Sequence, residues 1–272
     1  MTLIQSIILG IIQGITEFLP ISSSGHLVLI PNLLGWDIPA QDAFVFDVLV
    51  QVATLVAVFV YFWDDLYNIA IMTLQGLWKR RPFDHAQSRM GWYLILATIP
   101  AGVSFLLFAE SFEKAFGSPL ATSLFLFGTA VLLLVAELAG NRSRGFDDII
   151  WKDALWVGIF QILAIFPGVS RSGSTITASM IRDLKRPAAA RFSFLISVPV
   201  MLAAGLVGTI KLFQIPHFAS LLPTYLAGFI TAAIAGYVSI RWLLQFLTHR
   251  PLYIFAAYCS VFGLLNLLMI LL

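Results

Sequence analysis

Long, nearly uninterrupted apolar runs follow one another from one end of this 272-residue chain to the other. A helix needs roughly 20 apolar residues to cross about 30 Å of hydrocarbon. The runs are continuous, which excludes the alternating pattern of an outer-membrane β-barrel. Only 11% of the residues are charged, whereas soluble domains have about 25%. The sequence therefore predicts an all-α polytopic membrane protein, with residues 1–272 forming a single integral membrane domain.

Apolar length and helix-breaking residues predict six full transmembrane helices. They lie near residues 44–63, 91–109, 119–139, 191–212, 223–247 and 251–272. Two other apolar segments, 3–35 and 153–181, are interrupted midway by Pro, Gly and Ser. We expect each of these two segments to form a re-entrant pair of half-helices that returns to the face it entered.

The connections differ in their content of Lys and Arg, and short cytoplasmic loops carry the excess of these residues. Along the chain the connections are rich, poor, rich, rich, poor and rich in basic residues; the two poor ones, 110–118 and 211–222, hold one Lys each. This order fits six spans only if segment 153–181 enters and leaves on the cytoplasmic side. By the same parity, segment 3–35 enters from the external face.

The two interrupted segments resemble each other at a fixed offset of 148 positions. Aligning residues 10–25 with residues 158–173 matches Gly10, Gln13, Ser22, Ser24 and Gly25 with Gly158, Gln161, Ser170, Ser172 and Gly173. The halves, approximately 1–140 and 150–272, then each contain one re-entrant pair and three spans. Because three is odd, the halves are predicted to lie inverted in the membrane, as in transporters with a site at the bilayer midplane.

Polar and ionisable residues concentrate at the two interruptions, which we call the first and second elbows. The first elbow region has Gln13, Glu17, Ser22, Ser23, Ser24 and His26; the second has Ser170, Arg171, Ser172, Ser174 and Thr175. A charged residue at mid-membrane costs about 2.5–3.5 kcal/mol and is a functional candidate by default. The planar guanidinium of Arg171 can bind two phosphate oxygens at once. We therefore expect the elbows to face each other around an anion site.

Structural explanations remain for each of these residues. The serines can cap the half-helices that follow them, Glu17 and Arg171 can form a buried ion pair that locks the elbows together, and His26 can be a core histidine. Asp47, Gln51 and Thr54 form an i, i+4, i+7 stripe, which predicts an interior face that supports the site. The net charge of +2 gives no support for nucleic-acid binding.

The motifs "QGITEFLPISSSGH" and "PGVSRSGST" closely resemble those of the undecaprenyl pyrophosphate phosphatase family, also called bacitracin-resistance proteins. The resemblance extends over the whole chain and includes "RFSFLISVP". It implies a multi-pass enzyme of the bacterial inner membrane. Such an enzyme removes the terminal phosphate of undecaprenyl pyrophosphate, whose isoprenoid tail remains among the membrane lipids, and this recycles the cell-wall carrier lipid. A homodimer is left open as its assembly.

The resemblance also implies roles for individual residues. Glu17, Ser23 and His26 fall on the family's catalytic positions, and Ser170, Arg171, Ser172 and Thr175 fall on its phosphate-binding motif. Family members need a divalent cation, Mg²⁺ or Ca²⁺, which Glu17 would bind; Gln13 stands where a second carboxylate can occur. From their positions in the sequence, and not from the resemblance, we expect Gln13, Ser22, Ser24, Asp47 and Gln51 to support the site.

Two questions stay open from the sequence. The attacking group can be Ser23, His26 or a water activated by His26. A lipid or small-anion transporter, or a flippase, with an anion site at the midplane is the alternative function. The group of Glu17, Ser23 and His26 distinguishes the two functions, because a carrier needs an anion site but neither a nucleophile nor a base.

Overall fold

A computed structural model describes residues 1–116, 118–212 and 218–272, without the side chains of 109–116, 207, 209–212 and 218–221. Gly117 and residues 213–217, which belong to the two connections poor in basic residues, lie outside the described residues. The described part is helical and contains no named strand. Its helices are α1 (Leu3–Phe18), α2 (Ser23–Leu33), α3 (Ala40–Tyr61), α4 (Trp63–Trp78), α5 (Ala86–Phe116), α6 (Pro119–Leu138), α7 (Trp151–Gln161), α8 (Arg171–Ile181), α9 (Arg186–Leu212), α10 (Phe218–His249) and α11 (Tyr253–Leu271).

Six of these helices are long and apolar enough to cross a membrane, which confirms the predicted number of spans. The candidate spans among the described residues are Ala40–Tyr61, Ala86–Phe108, Pro119–Leu138, Arg186–Leu206, Leu222–His249 and Tyr253–Leu271. Each overlaps one predicted run. The protein is therefore a multi-pass membrane protein built from α-helices.

Both interrupted segments form two helices separated by a break. In the first, α1 ends at Phe18 and α2 begins at Ser23; in the second, a short 3₁₀ turn, Ile162–Ile165, follows α7 before α8 begins. Neither α1, α2, α7 nor α8 is long enough to be a candidate span. The predicted interruptions are thus present in the structure.

Helix α4 is not among the predicted elements; it lies between the predicted spans 44–63 and 91–109. It has 16 residues, begins with Asp64 and Asp65 in its first turn, and buries only Ile69 and Gly76. Acidic residues at a helix N-terminus are favourable because they oppose the positive end of the helix dipole. A helix so short and so little buried gives a weak apolar pattern, which is why length alone missed it.

The half-helices pack against spans of the opposite half of the chain. Helix α1 crosses α10 and α7 crosses α5, while α6 packs against α11 and α3 packs against both α9 and α10. A glycine lies at each of the first two crossings. A Cβ atom on Gly10 would meet the backbone of Gly228, and one on Gly158 would meet the backbone of Ala97. These crossings therefore pack α1 and α7 closely against spans of the other half.

Two buried acidic residues, Glu137 and Asp153, bind groups at the ends of several helices. Glu137, at the end of α6, accepts hydrogen bonds from Arg142 and Arg186 and, at 2.8 Å, from the backbone N–H of Leu252 before α11. Asp153, in the first turn of α7, likewise binds two arginines. These arginines belong to the connections that the sequence analysis predicts to be cytoplasmic.

The two partners of Asp153 come from the chain before α7 and from the end of α8. Arg144 approaches to 2.5 Å and Arg182 to 2.8 Å. Burial alone would raise the pKa of Asp153, but the hydrogen bonds from these arginines hold it below its usual value. The hydrogen bond to Asp153 raises the pKa of Arg144. The start of α7 and the end of α8 therefore lie beside each other.

Candidate active site

Glu17 lies where the two elbows meet and has three side-chain partners. Gln13, one turn earlier on α1, donates to its Oε2 at 3.0 Å, and the Ser23 hydroxyl donates to the same oxygen at 2.6 Å. Arg171, from the second elbow, approaches Glu17 Oε1 to 2.8 Å through Nη2. The structure thus brings together residues 154 positions apart in sequence, as the two-elbow interpretation requires.

Glu17 and Arg171 form an ion pair between the two elbows, which the sequence analysis offered as a structural explanation for both residues. Their side chains retain 10% and 14% of their exposure, so the pair is largely but not fully enclosed. The Nη1 atom of Arg171 faces the backbone carbonyl of Ser193 at 3.5 Å. This incomplete enclosure leaves the guanidinium accessible to an anion.

Ser23 and Arg171 occupy equivalent positions, each being the first residue of the helix after its elbow. The serine before each of them caps that helix: Ser22 Oγ accepts from the N–H of Gly25 at 3.2 Å, and Ser170 Oγ accepts from the N–H of Gly173 at 3.0 Å. A helix N-terminus presents N–H donors and positive potential, which favours anions. Two such ends converge on the Glu17 carboxylate.

The other predicted phosphate-binding hydroxyls are buried and bonded to protein groups. Ser172 Oγ donates to the carbonyl of Leu19 at 3.1 Å, which ties the second elbow to the first. Thr175 Oγ1 donates to the carbonyl of Arg171 at 2.8 Å and lies 2.6 Å from Ser193 Oγ. Ser174 Oγ donates to Ser170 O. In this structure these hydroxyls build the elbow that presents Arg171.

His26 is buried and bonded away from Ser23. Its Nδ1 lies 2.7 Å from the Ser22 carbonyl, and its Nε2 lies 2.7 Å from the Tyr258 hydroxyl. Because a carbonyl can only accept, Nδ1 carries the proton of this bond. The ring also stacks on Phe262 with centroids 4.6 Å apart. Both ring nitrogens are therefore occupied, and the partner of the Ser23 hydroxyl is Glu17.

The remaining predicted supporting residues differ in their placement. Ser24 is partly exposed beside Ser22, with their hydroxyl oxygens 3.3 Å apart. On α3, Asp47 is half-buried and Thr54 is fully buried, but Gln51 is exposed. The expectation that Gln51 faces the interior is wrong. Val50 is buried on the packed face, and the rotation of 100° per residue turns the next side chain away from it.

Three further residues position the site and were not singled out from the sequence. Thr129 on α6 donates to Gly168 O at 2.8 Å and accepts from the N–H of Ser170 at 2.9 Å, which fixes the second elbow. Ser193 lies within "RFSFLISVP" and contacts Arg171 and Thr175. Tyr258 holds His26 from α11. None belongs to an elbow, so only the folded chain identifies them.

A family model described as Bacitracin resistance protein BacA matches residues 6–265, which include both elbows, five of the six spans completely and most of the sixth. The chain belongs to this family. Known relatives agree over nearly their whole length. Proteins named "Undecaprenyl-diphosphatase" from Chlorobium phaeobacteroides and Moorella thermoacetica are each 42% identical to this chain, covering 97% and 95% of it and 95% and 94% of their own lengths. One of the same name from Methanosphaera stadtmanae is 40% identical and covers 98% of both chains.

Membership of the BacA family is consistent with the geometry of the elbows. The residues that carry the resemblance in sequence, Glu17 and Ser23 in the first motif and Arg171 in the second, are the ones that meet in space. They are also among the few polar groups of the two elbows that retain some exposure. We therefore treat the elbow junction as the candidate active site.

Proposed function

We propose that this protein is an undecaprenyl-diphosphatase that hydrolyses undecaprenyl pyrophosphate to undecaprenyl phosphate and inorganic phosphate. The observation that carries this proposal is the convergence on Glu17 of a hydroxyl from one elbow and a guanidinium from the other. Relatives of that name, about 40% identical over nearly full length, support it. A transporter would need the guanidinium but not a serine hydroxyl bonded to a carboxylate.

In this proposal Arg171 binds the pyrophosphate and stabilises the charge of the transition state. Phosphoryl transfer depends mainly on positioning and electrostatic stabilisation, for which a planar fork of N–H donors is suited. The backbone N–H groups at the start of α2 and α8 add to the positive potential. Ser172, Thr175 and Ser193 hold the second elbow in place, so that Arg171 is directed towards Glu17.

Ser23 is the nucleophile that the geometry favours, with Glu17 as its base. The Ser23 oxygen forms a bond to the terminal phosphorus while Glu17, 2.6 Å away, takes the hydroxyl proton. The bond from that phosphorus to the bridging oxygen breaks, and undecaprenyl phosphate leaves. Water then hydrolyses the phosphoserine and releases inorganic phosphate. His26, bonded to Ser22 O, positions the elbow from behind.

The donor set fits a divalent cation of the kind the family uses. Among the described residues no group of three or more His, Cys, Asp or Glu side chains is arranged so that it could hold a metal ion by itself. In the motif of the first elbow, Glu17 is the carboxylate and Gln13 stands one turn before it. The Oε1 atom of Gln13 is buried and has no hydrogen-bond partner. Mg²⁺ is usually bound through one or two carboxylates together with substrate phosphates. Glu17 and Gln13 would hold the ion, which neutralises pyrophosphate oxygens when bound.

We further propose that both broken segments are re-entrant and that the two halves form an inverted repeat. For the second segment, the bond between Arg182 at the end of α8 and Asp153 at the start of α7 supports entry and exit on one face. For the first, the backbone nitrogen of Met1 lies 2.7 Å from Asp42 at the start of α3. The first helix of each half packs against a span of the other half: α1 contacts α10, and α7 contacts α5. Such reciprocal contacts between the halves support the inverted repeat.

The same topology gives the enzyme its setting, a single membrane domain in the bacterial inner membrane. The pyrophosphate binds at the elbows while the isoprenoid chain remains among the membrane lipids. An apolar groove of about 400 Å³, lined by Ile15, Ile30, Tyr258 and their neighbours, borders His26 and opens between α1, α2 and α11. It offers a route by which a lipid substrate reaches the elbows from the bilayer, where recycling of the carrier lipid takes place.

The test is the release of inorganic phosphate from undecaprenyl pyrophosphate by the purified protein. We expect steady release with Mg²⁺ or Ca²⁺ and loss of release on addition of a chelator, restored by excess cation. Asp65→Asn, which removes a surface ion pair with Arg191, is the matched control and keeps wild-type release. A purified, folded protein that binds the lipid but releases no phosphate under these conditions would favour the transporter instead.

A further inference from the structure

A groove lined by basic residues lies away from the elbows, at the face where the arginine-rich connections gather. It has a volume of about 550 Å³ and is formed by the end of α3, the start of α9 and the last turns of α10. Lys185, Arg191 and Arg241 line it together with Tyr61 and Leu244, and its described lining contains no Asp or Glu. Its electrostatic character is therefore strongly positive.

Two of the three cations are free to bind an external anion. Arg191 forms an ion pair with Asp65 at 2.7 Å and lies over the ring of Phe146 at 4.3 Å. Among the described ion pairs and hydrogen bonds, none involves the side chain of Lys185 or Arg241. Both side chains are exposed. The groove thus presents two unpaired positive charges beside a third that is already neutralised.

Arg241 is not simply part of a basic loop that sets membrane orientation. It lies within the candidate span Leu222–His249, eight residues before the helix end and hence about 12 Å from it. An arginine inside a span carries an energetic cost, and such residues mark binding sites or reach towards the interface. Trp242 beside it is 47% exposed, as expected of an aromatic residue at headgroup level.

A second, lower groove lies beside the first, between α3 and α10, on the side away from the end of α10. It has a volume of about 250 Å³ and is lined only by α3 and α10, through Val56, Val60, Ile234, Tyr237, Val238 and two alanines. Tyr61 of the basic groove contacts Tyr237 of the lower one, with ring centroids 5.5 Å apart. Residues 233–238 precede Arg241 by about 5–12 Å along the helix. The seam between α3 and α10 is therefore cationic at its end and apolar deeper in the membrane.

We propose that this seam binds one anionic glycerophospholipid, with its phosphate between Lys185 and Arg241 and an acyl chain in the lower groove. Basic pockets between membrane helices on the cytoplasmic side are suited to anionic lipid headgroups. A free phosphate ion would use the cations but not the apolar groove, whereas a diacyl phospholipid matches both. The site is separate from the elbows and independent of the proposed phosphatase activity.

The probe is phosphatidylglycerol, with phosphatidylcholine as the neutral competitor, and the readout is lipid retained on the full chain in native mass spectrometry. We expect about tenfold preferential retention of one phosphatidylglycerol. Lys185→Ala combined with Arg241→Ala should reduce this retention at least fivefold. Both side chains are exposed, so this variant should fold and keep wild-type phosphate release. Lys79→Ala combined with Lys152→Ala, two exposed lysines outside the groove, should leave retention unchanged.

The lower groove is tested separately with Ala233→Phe, which fills it, against Ile230→Phe, a lipid-facing position on the same helix that is already 54% exposed. Only the first should reduce retention. Equal retention by the wild type and the Lys185/Arg241 variant would overturn the proposal. Displacement of the lipid by inorganic phosphate, or equally by undecaprenyl phosphate, at matching concentration would overturn its assignment to a glycerophospholipid.

Discussion

At the scale of single residues, the chemistry depends on which partner each side chain has. Ser23 and His26 are three residues apart on α2, a spacing that places them on neighbouring parts of one helix face. The fold nevertheless gives the hydroxyl of Ser23 to Glu17 and the two nitrogens of His26 to Ser22 and Tyr258. The structure therefore favours Ser23 as nucleophile and His26 as a positioning residue, a distinction that the sequence left open.

Substitution of Ser23 tests this assignment. Ser23→Ala should reduce phosphate release at least 100-fold, because the nucleophile is lost, and should abolish a phosphoprotein trapped by rapid acid quench with substrate labelled in the terminal phosphate. Ser24→Ala removes a partly exposed neighbouring hydroxyl and should retain at least a third of the activity. Label on His26, or full activity of Ser23→Ala, would instead assign the attack to His26 or to water.

At the scale of elements, the two half-helix pairs have closely matching ends. Ser22 and Ser170 cap their helices through the same bond to a glycine N–H three residues later. The serine two residues after each cap lies beside it, at 3.3 Å and 3.1 Å between hydroxyl oxygens. The offset of 148 positions was readable from the sequence because these caps require Ser and Gly. The difference between Ser23 and Arg171 at these equivalent positions matches the different roles that we propose for them.

Close helix crossings provide an element-scale prediction. Gly10→Ala and Gly158→Ala each place a Cβ against the backbone of another helix, so each should destabilise the protein by about 1–3 kcal/mol through overpacking. Gly102→Ala, whose added Cβ would meet no other described part of the protein within 4 Å, should be neutral or slightly stabilising because alanine favours the helix. Thermal unfolding in detergent measures all three, and equal midpoints would contradict the crossings.

The cluster around Asp153 predicts a dependence of stability on pH. Its pKa is lower in the folded than in the unfolded chain because Arg144 and Arg182 outweigh burial. The stabilisation is therefore complete above the ordinary carboxyl pKa of about 3.9 and is lost as pH falls through the folded value. The melting-temperature difference between wild type and Asp153→Asn should be largest near about pH 6 and shrink below about pH 4. If the melting-temperature difference did not change with pH, the ion pairs of Asp153 would not be its cause.

At the scale of the whole molecule, the sequence was sufficient for the spans and elbows but not for their lateral arrangement. Runs of apolar residues must match the bilayer thickness, so length alone located six spans. Helix α4 was not predicted because it is short and mostly exposed. The prediction that Gln51 faces the interior was wrong because an i, i+4 stripe does not show where the packed face of a helix ends. Contacts such as Thr129 with the second elbow join distant segments, and no local pattern encodes them.

The proposed inverted topology makes a prediction about which face each connection reaches. Asp37→Cys, in the connection between α2 and α3, should react with a membrane-impermeant thiol reagent added to intact cells, and Lys152→Cys should react only after permeabilisation. Both positions are exposed, whereas the native Cys259 is buried and should give little background. Labelling of both positions from the same side would rule out the inverted arrangement.

The convergence of the elbows on Glu17 is tested most directly by the rate of phosphate release from undecaprenyl pyrophosphate by Arg171→Ala. Loss of the guanidinium removes the main charge-stabilising group, so we expect a decrease of at least 100-fold, on the order found for such groups in other enzymes. Arg171→Lys should recover only part of the loss, because it lacks the planar fork. Thermal unfolding must show a folded variant. A folded Arg171→Ala protein with near wild-type release would contradict an active site at the junction of the two elbows.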